Sequence, residues 1–88
     1  MKKVVSVQEV DDEGLIGLMG HRVVLFCANY IYSGVLNGVN DTCVLLNDAG
    51  IVYETGSFSD KQWKDYQKVG DRIYVTTQSI EMFTVCSK

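Results

Sequence analysis

Proline is absent from the 88-residue chain, histidine and tryptophan occur once each, and cysteine occurs three times. Without proline there is no proline-rich linker and no polyproline segment. Cys27, Cys43 and Cys86 are odd in number, lack C-x-x-C spacing and sit inside apolar strand patterns, so a disulfide framework is excluded and buried free thiols are expected. His21 stands alone. No H-x-x-x-H, P-loop or G-x-G-x-x-G motif occurs, and no sequence neighbour makes a Cys/His or Ser/His nucleophile pair. One histidine and scattered cysteines cannot build a tetrahedral metal site within one chain, so no metal, no cofactor and no enzymatic activity are expected. No run is long enough to cross a membrane, and Met1-Lys2-Lys3 is followed by only two valines before polar residues, so a secretory leader is not expected. The chain reads as cytoplasmic.

What is present is a globular composition, 47% hydrophobic and 22% charged, with a formal net charge of −3. A chain of this size buries only roughly 60–65% of the surface that its unfolded form exposes, so its core is thin and assembly with other copies would help it. One domain over residues 1–88 is expected. Glu9, Asp11, Asp12 and Glu13 form an acidic cluster without calcium-loop spacing, which reads as a solvated bend. Lys61, Lys64, Lys68 and Arg72 slightly outweigh Asp60, Asp65 and Asp71 in residues 60–72.

The centre of the chain is a glycine-punctuated run of β-formers. His21-Arg-Val-Val-Leu-Phe-Cys leads to a turn at Ala28-Asn29, and the next strand is interrupted by Gly34 and Gly38 before a turn at Asn40-Asp41. Such glycines bend a short sheet until it curls into a small barrel. Strands are expected at about 3–10, 21–28, 30–39, 42–47, 51–55, 71–77 and 80–85, with Asn47-Asp48-Ala49-Gly50 either a turn or a bend inside one strand. Three glycines restrict residues 14–20 to one loose turn. Ser59 followed by Gln62, with Gly70 beyond, predicts a short helix at about 60–69, with Trp63 and Tyr66 on the face toward the barrel end. The result is a mainly β chain: five main antiparallel strands with one short helix.

Val24, Phe26, the turn at Asn29 and the run Tyr32-Ser-Gly34-Val-Leu36-Asn-Gly38-Val-Asn40-Asp41 resemble the first motif of the Sm and Sm-like family, and Ile73 to Ile80 loosely resembles the second. The chain looks like a divergent member, of environmental phage origin. The resemblance implies a small, strongly bent, five-stranded SH3-like barrel that assembles into a homo-oligomeric ring and binds RNA or single-stranded DNA without chemistry of its own. The family's uridine site consists of an Asp, an aromatic and an Asn on one loop and Arg-Gly on another; here those positions read Asn40, Thr42, Val44, Thr76 and Thr77. The stacking ring and the guanidinium are gone, and stacking alone is worth about 1–3 kcal/mol per base. The expected contact residues are therefore Asn40, Asp41, Thr42, Thr76, Thr77 and Gln78, with Lys61, Lys64 and Lys68 adding attraction from outside; Tyr30, Tyr53 and Tyr74 are candidate substitute stacking rings, although sheet packing is the favoured role for each. The competing reading is a ring scaffold for protein interactions that has lost the nucleotide site.

Overall fold

Alternation decides the architecture. In the computed structural model, which describes residues 14–88, the six-residue strand β1 (Arg22–Cys27) divides its side chains between two apolar layers. Val23 and Leu25 enter a cluster with Leu36, Val44, Leu46, Ala49 and Val75, while Val24 joins Val52 and Trp63, with Phe26 packed against that second cluster on the opposite face. Four further elements complete the sheet: β2 (Ile31–Val39), β3 (Cys43–Glu54), β4 (Asp65–Thr76) and β5 (Ile80–Val85), all pairing antiparallel in the order β4-β3-β2-β1-β5. A one-turn helix, α1 (Gly14–Gly17), precedes them, and Leu15 and Leu18 lie against the main core. The strand expected at 3–10 and the acidic cluster fall outside the described residues.

The bends lie where the small residues are. Asn47-Asp48-Ala49-Gly50 is not a hairpin turn but a kink within β3: Asp48 has φ 46°, and the pairing with β2 steps from Ser33↔Gly50 to Val35↔Asn47, leaving an extra residue on β3. Against β4 the register slips again between Ala49 and Gly50. Backbones approach closely here. A Cβ on Gly34 would lie 2.7 Å from the Ala49 Cβ, and one on Gly50 would collide with the Gln67 carbonyl.

The helix expected at 60–69 does not form. Residues 65–70 are the first half of β4, paired as Glu54↔Asp65, Val52↔Tyr66, Ile51↔Gln67, Gly50↔Lys68 and Ala49↔Gly70. An isolated ten-residue helix is marginal in water, whereas extending β4 completes the ladder of a twelve-residue β3 that would otherwise be exposed along that edge. Ser59 caps nothing; its hydroxyl meets that of Ser57 at 2.8 Å. Trp63 is buried as expected, but from a turn, and it covers the second face of the sheet rather than a barrel end.

Gly50 and Gly70 separate the two readings of this segment. Gly50→Ala places a methyl group into backbone and should cost about 3 kcal/mol in chemical denaturation. Gly70, read from the sequence as a left-handed helix stop, has open space around its would-be Cβ and no positive φ. Gly70→Ala should be neutral or stabilising by up to about 1 kcal/mol; a loss comparable to that of Gly50→Ala would contradict the extended conformation.

Candidate nucleic-acid interface

The two loops singled out in the sequence meet. Asn40 closes the β2–β3 connection on itself: its Oδ1 accepts from Thr42 N at 2.8 Å, Cys43 N at 2.9 Å and Thr42 Oγ1 at 3.0 Å, while its own N–H donates to the Cys43 carbonyl. Thr77 then joins the β4–β5 connection to it, its N–H donating to the Thr42 carbonyl at 3.0 Å and its Oγ1 to the Asp41 carbonyl at 2.9 Å. Thr77–Ser79 is a single 3-10 turn, held by Ser79 Oγ donating to the Thr76 carbonyl. Asn40, Asp41, Thr42, Thr76 and Gln78 are exposed and Thr77 is half-buried.

This geometry decides what the loops can offer a ligand. The N–H groups of Thr42, Cys43 and Thr77 are all engaged within the protein. The hydroxyl protons of Thr42, Thr76 and Thr77 are likewise donated within the loops, so the outward inventory is the Asn40 and Gln78 amides and the Asp41 carboxylate, which suits base edges better than phosphates. Val44, at the position of the family's Asn, is fully buried in the main core.

Sequence reasoning passed over Arg72. Ile73 and Val75 face the core, so Arg72, Tyr74 and Thr76 share the outer face of β4. Tyr74 is exposed; Arg72 Nε donates to its hydroxyl at 3.0 Å, and the guanidinium lies 5.8 Å from the ring centroid. An aromatic ring and a cation therefore stand one and two alternations from the converged loops. The period-2 spacing of 72, 74 and 76 was the available signal. Tyr30 and Tyr53 are also exposed but lie at the opposite end of β2, where the register sets them across from each other.

The lysines are elsewhere. Lys68 pairs with Gly50, eight residues back along β4 from Thr76, roughly 26 Å at strand rise. It is bound by Asp71 at 2.8 Å and Asp48 at 3.1 Å, and Lys64 lies 3.3 Å from Glu54. Lys61 is an exposed residue of the connection that carries Trp63. Cys27, Cys43 and Cys86 are free and half-buried, and burial pushes the Cys27 thiol up, against a reactive thiolate. Among the described residues no cluster could hold a metal ion, and no helix is long and apolar enough to cross a membrane.

The network around Asp48 has a testable pH signature. The hydrogen bond from Lys68, then the Lys68 and Arg22 charges, hold the Asp48 carboxyl below its ordinary value, while Asp71 and then Asp48 raise Lys68. The depressed Asp48 stabilises the fold above the ordinary carboxylate pKa and ceases to do so as pH falls through its lower folded value; Lys68 stabilises below the ordinary lysine pKa and ceases as pH rises through its higher one. Both groups are exposed, so the effect is small and screened by salt. Asp48→Asn, which keeps a residue tolerant of positive φ, should lower Tm most near neutral pH and low salt, and the difference should close in strong acid and in molar salt. A pH-independent difference would mean that the backbone, not the charge, is what Asp48 supplies.

No family model and no curated protein sequence matches the chain. Among solved structures it is similar to a heptameric archaeal Sm protein, described for its implications for the eukaryotic snRNP core, at 16% identity and a TM-score of 0.62, covering 81% of this chain and 93% of that one. The likeness is one of architecture, and it agrees with the strand order and the glycine bends: the chain has the Sm fold, a mainly β, strongly bent five-stranded antiparallel sheet with one short helix.

Proposed function

We propose that the chain assembles into a closed homo-oligomeric ring that binds single-stranded nucleic acid, RNA foremost, at the converged loops 40–42 and 76–78, and performs no chemistry. The observation that carries this reading is the double hydrogen bond from Thr77 to Thr42 and Asp41, which unites the amides of Asn40 and Gln78 on one exposed surface. Assembly is supported by the edges of the sheet. These are β4 and β5, they expose Val69, Met82 and Val85, and a head-to-tail pairing of residues 72–77 with 80–85 of the next copy would cover both. The Sm protein of similar fold is heptameric.

Asn40 and Gln78 would hydrogen-bond base edges, Tyr74 would supply the stacking face that Thr42 lacks, and Arg72 would meet one phosphate. Lys61, Lys64 and Lys68 would act only at a distance, two of them already paired with carboxylates. The scaffold reading keeps one specific support: the loop N–H groups are spent internally and the Asp41 carboxylate repels phosphate.

Fluorescence anisotropy with uridine-rich, adenosine-rich and mixed RNA and DNA strands, alongside light scattering, tests both claims. Binding should be weak, with a log–log salt slope of roughly −0.7 per chain engaged, one phosphate contact each. Asn40→Ala with Thr76→Ala should abolish it while the ring persists. Asn40→Asp should weaken it with the loop intact, since the turn's acceptor survives and only the outward amide is lost. Lys64→Ala with Lys68→Ala should reduce binding modestly. A monomer at micromolar concentration refutes the ring, and no affinity for any strand at low salt leaves the scaffold.

A further inference from the structure

The face of the sheet opposite the main core holds a cleft of about 360 Å³ whose lining includes Val24, Phe26, Phe58, Trp63, Met82 and Lys88. Its aromatic wall is ordered. Phe58 meets Trp63 edge-on, centroids 6.1 Å apart at 88°, and Phe26 stands 6.1 Å from Phe58 on the other side. The Lys88 ammonium lies 4.2 Å from the Trp63 ring centroid and 5.6 Å from that of Phe58, and donates to the Ser57 carbonyl at 3.0 Å. One cation is thus held by two π-faces and a carbonyl, the arrangement that recognises ammonium ligands. The site has surface beyond its present occupant: Phe58 and Met82 at the margin remain half or more exposed.

We propose that this cleft is a receptor for the lysine side chain of a partner polypeptide, for which Lys88 is the occupant supplied in cis. The chemistry of the lining selects that ligand. The rings and the Ser57 carbonyl take an alkylammonium head, and the apolar floor of Val24, Phe26 and Met82 takes its methylene stem. The net charge of −3 favours a basic partner. None of the loop residues 40–42 or 76–78 takes part, so the inference stands or falls independently of nucleic-acid binding.

Trp63 is the chain's single tryptophan and so reports on the site directly. Its emission is to be followed in the native protein and in Lys88→Ala while choline, Nα-acetyl-lysine amide or the uncharged carbon isostere of choline is added. Lys88→Ala alone should change the emission. Removing the tethered competitor should then tighten saturable binding of both ammonium probes by roughly fivefold to tenfold over native, with no response to the isostere. Phe58→Leu in the Lys88→Ala background, a change at an exposed position, should lose most of that affinity while the thermal melt is retained. The proposal is overturned if emission is the same with and without Lys88, if native binds the probes as tightly as Lys88→Ala, if the isostere matches choline, or if no probe saturates.

Discussion

The three residues Thr77–Ser79 must join the two outer edges of a five-stranded sheet, and this constraint shapes the rest of the molecule. Five flat strands would set those edges roughly 19 Å apart, whereas the four steps from Thr76 to Ile80 span at most about 14 Å. The sheet therefore has to curl. What lets it curl is the seam of small residues across its middle, Ser33-Gly34 on β2 against Ala49-Gly50 on β3, where Gly34 has no room for a Cβ beside Ala49 and Gly50 none beside Gln67 of β4. The φ of 46° at Asp48 and the register slips on both sides of β3 are the local form of the same curvature. Ser33, buried with an unpartnered hydroxyl among the described residues, fits the seam because it is small rather than because it is polar.

Curvature then determines what each face can hold. The inner face closes on Leu25, Leu36, Val44 and Leu46, all fully buried, and a domain of this length has few more residues to place there. The outer face of β1 and β3 would leave Val24 and Val52 in water. The connection 55–64 returns across it, and Trp63, Phe58 and Lys88 cover it with aromatic surface and an ammonium rather than with a second aliphatic core. A layer built this way is thinner and more open than the first, and for that reason it retains a cleft.

The parts of this arrangement that were legible in the sequence are those set by local chemistry. Gly34 and Gly38 mark bends whatever the partner strand, and the turns at Ala28-Asn29 and Asn40-Asp41 follow from the conformations those residues prefer. The meeting of residues 40–42 with 76–78 came with the family resemblance, and Thr77 bears it out by bonding to both Asp41 and Thr42. The illegible parts were decided by partners distant in sequence. Residues 60–69 carry respectable local helix signals, but Tyr66, Gln67 and Lys68 face Val52, Ile51 and Gly50, and nothing in the segment itself announces a ladder. Asn47 to Gly50 stays open between a turn and a bend for the same reason, since both use the same residues and only the far strands distinguish them. Arg72 is legible as more than charge, since it alternates with Tyr74 and Thr76 within the strand expected at 71–77, but its bond to the Tyr74 hydroxyl is visible only in the structure.

The same accounting of hydrogen bonds bears on specificity. In a loop whose backbone donors were free, phosphates would be the natural ligand and the sequence of the strand would matter little. Here Asn40 spends its oxygen on the turn and Thr77 spends both its donors on the neighbouring loop, so rigidity is obtained by consuming the groups that bind phosphate. Of what remains outward, the Asn40 amide is fixed in direction by the bonds to its oxygen, while the exposed Gln78 side chain has no such anchor among the described residues. A nucleic-acid ligand on such a surface would gain little from electrostatics and would rely on pairing at base edges, which discriminates between bases, and on stacking against Tyr74, which accepts any base. Weak binding, and whatever base preference the two amides confer, would thus both follow from the hydrogen-bonding pattern of these loops under the function proposed.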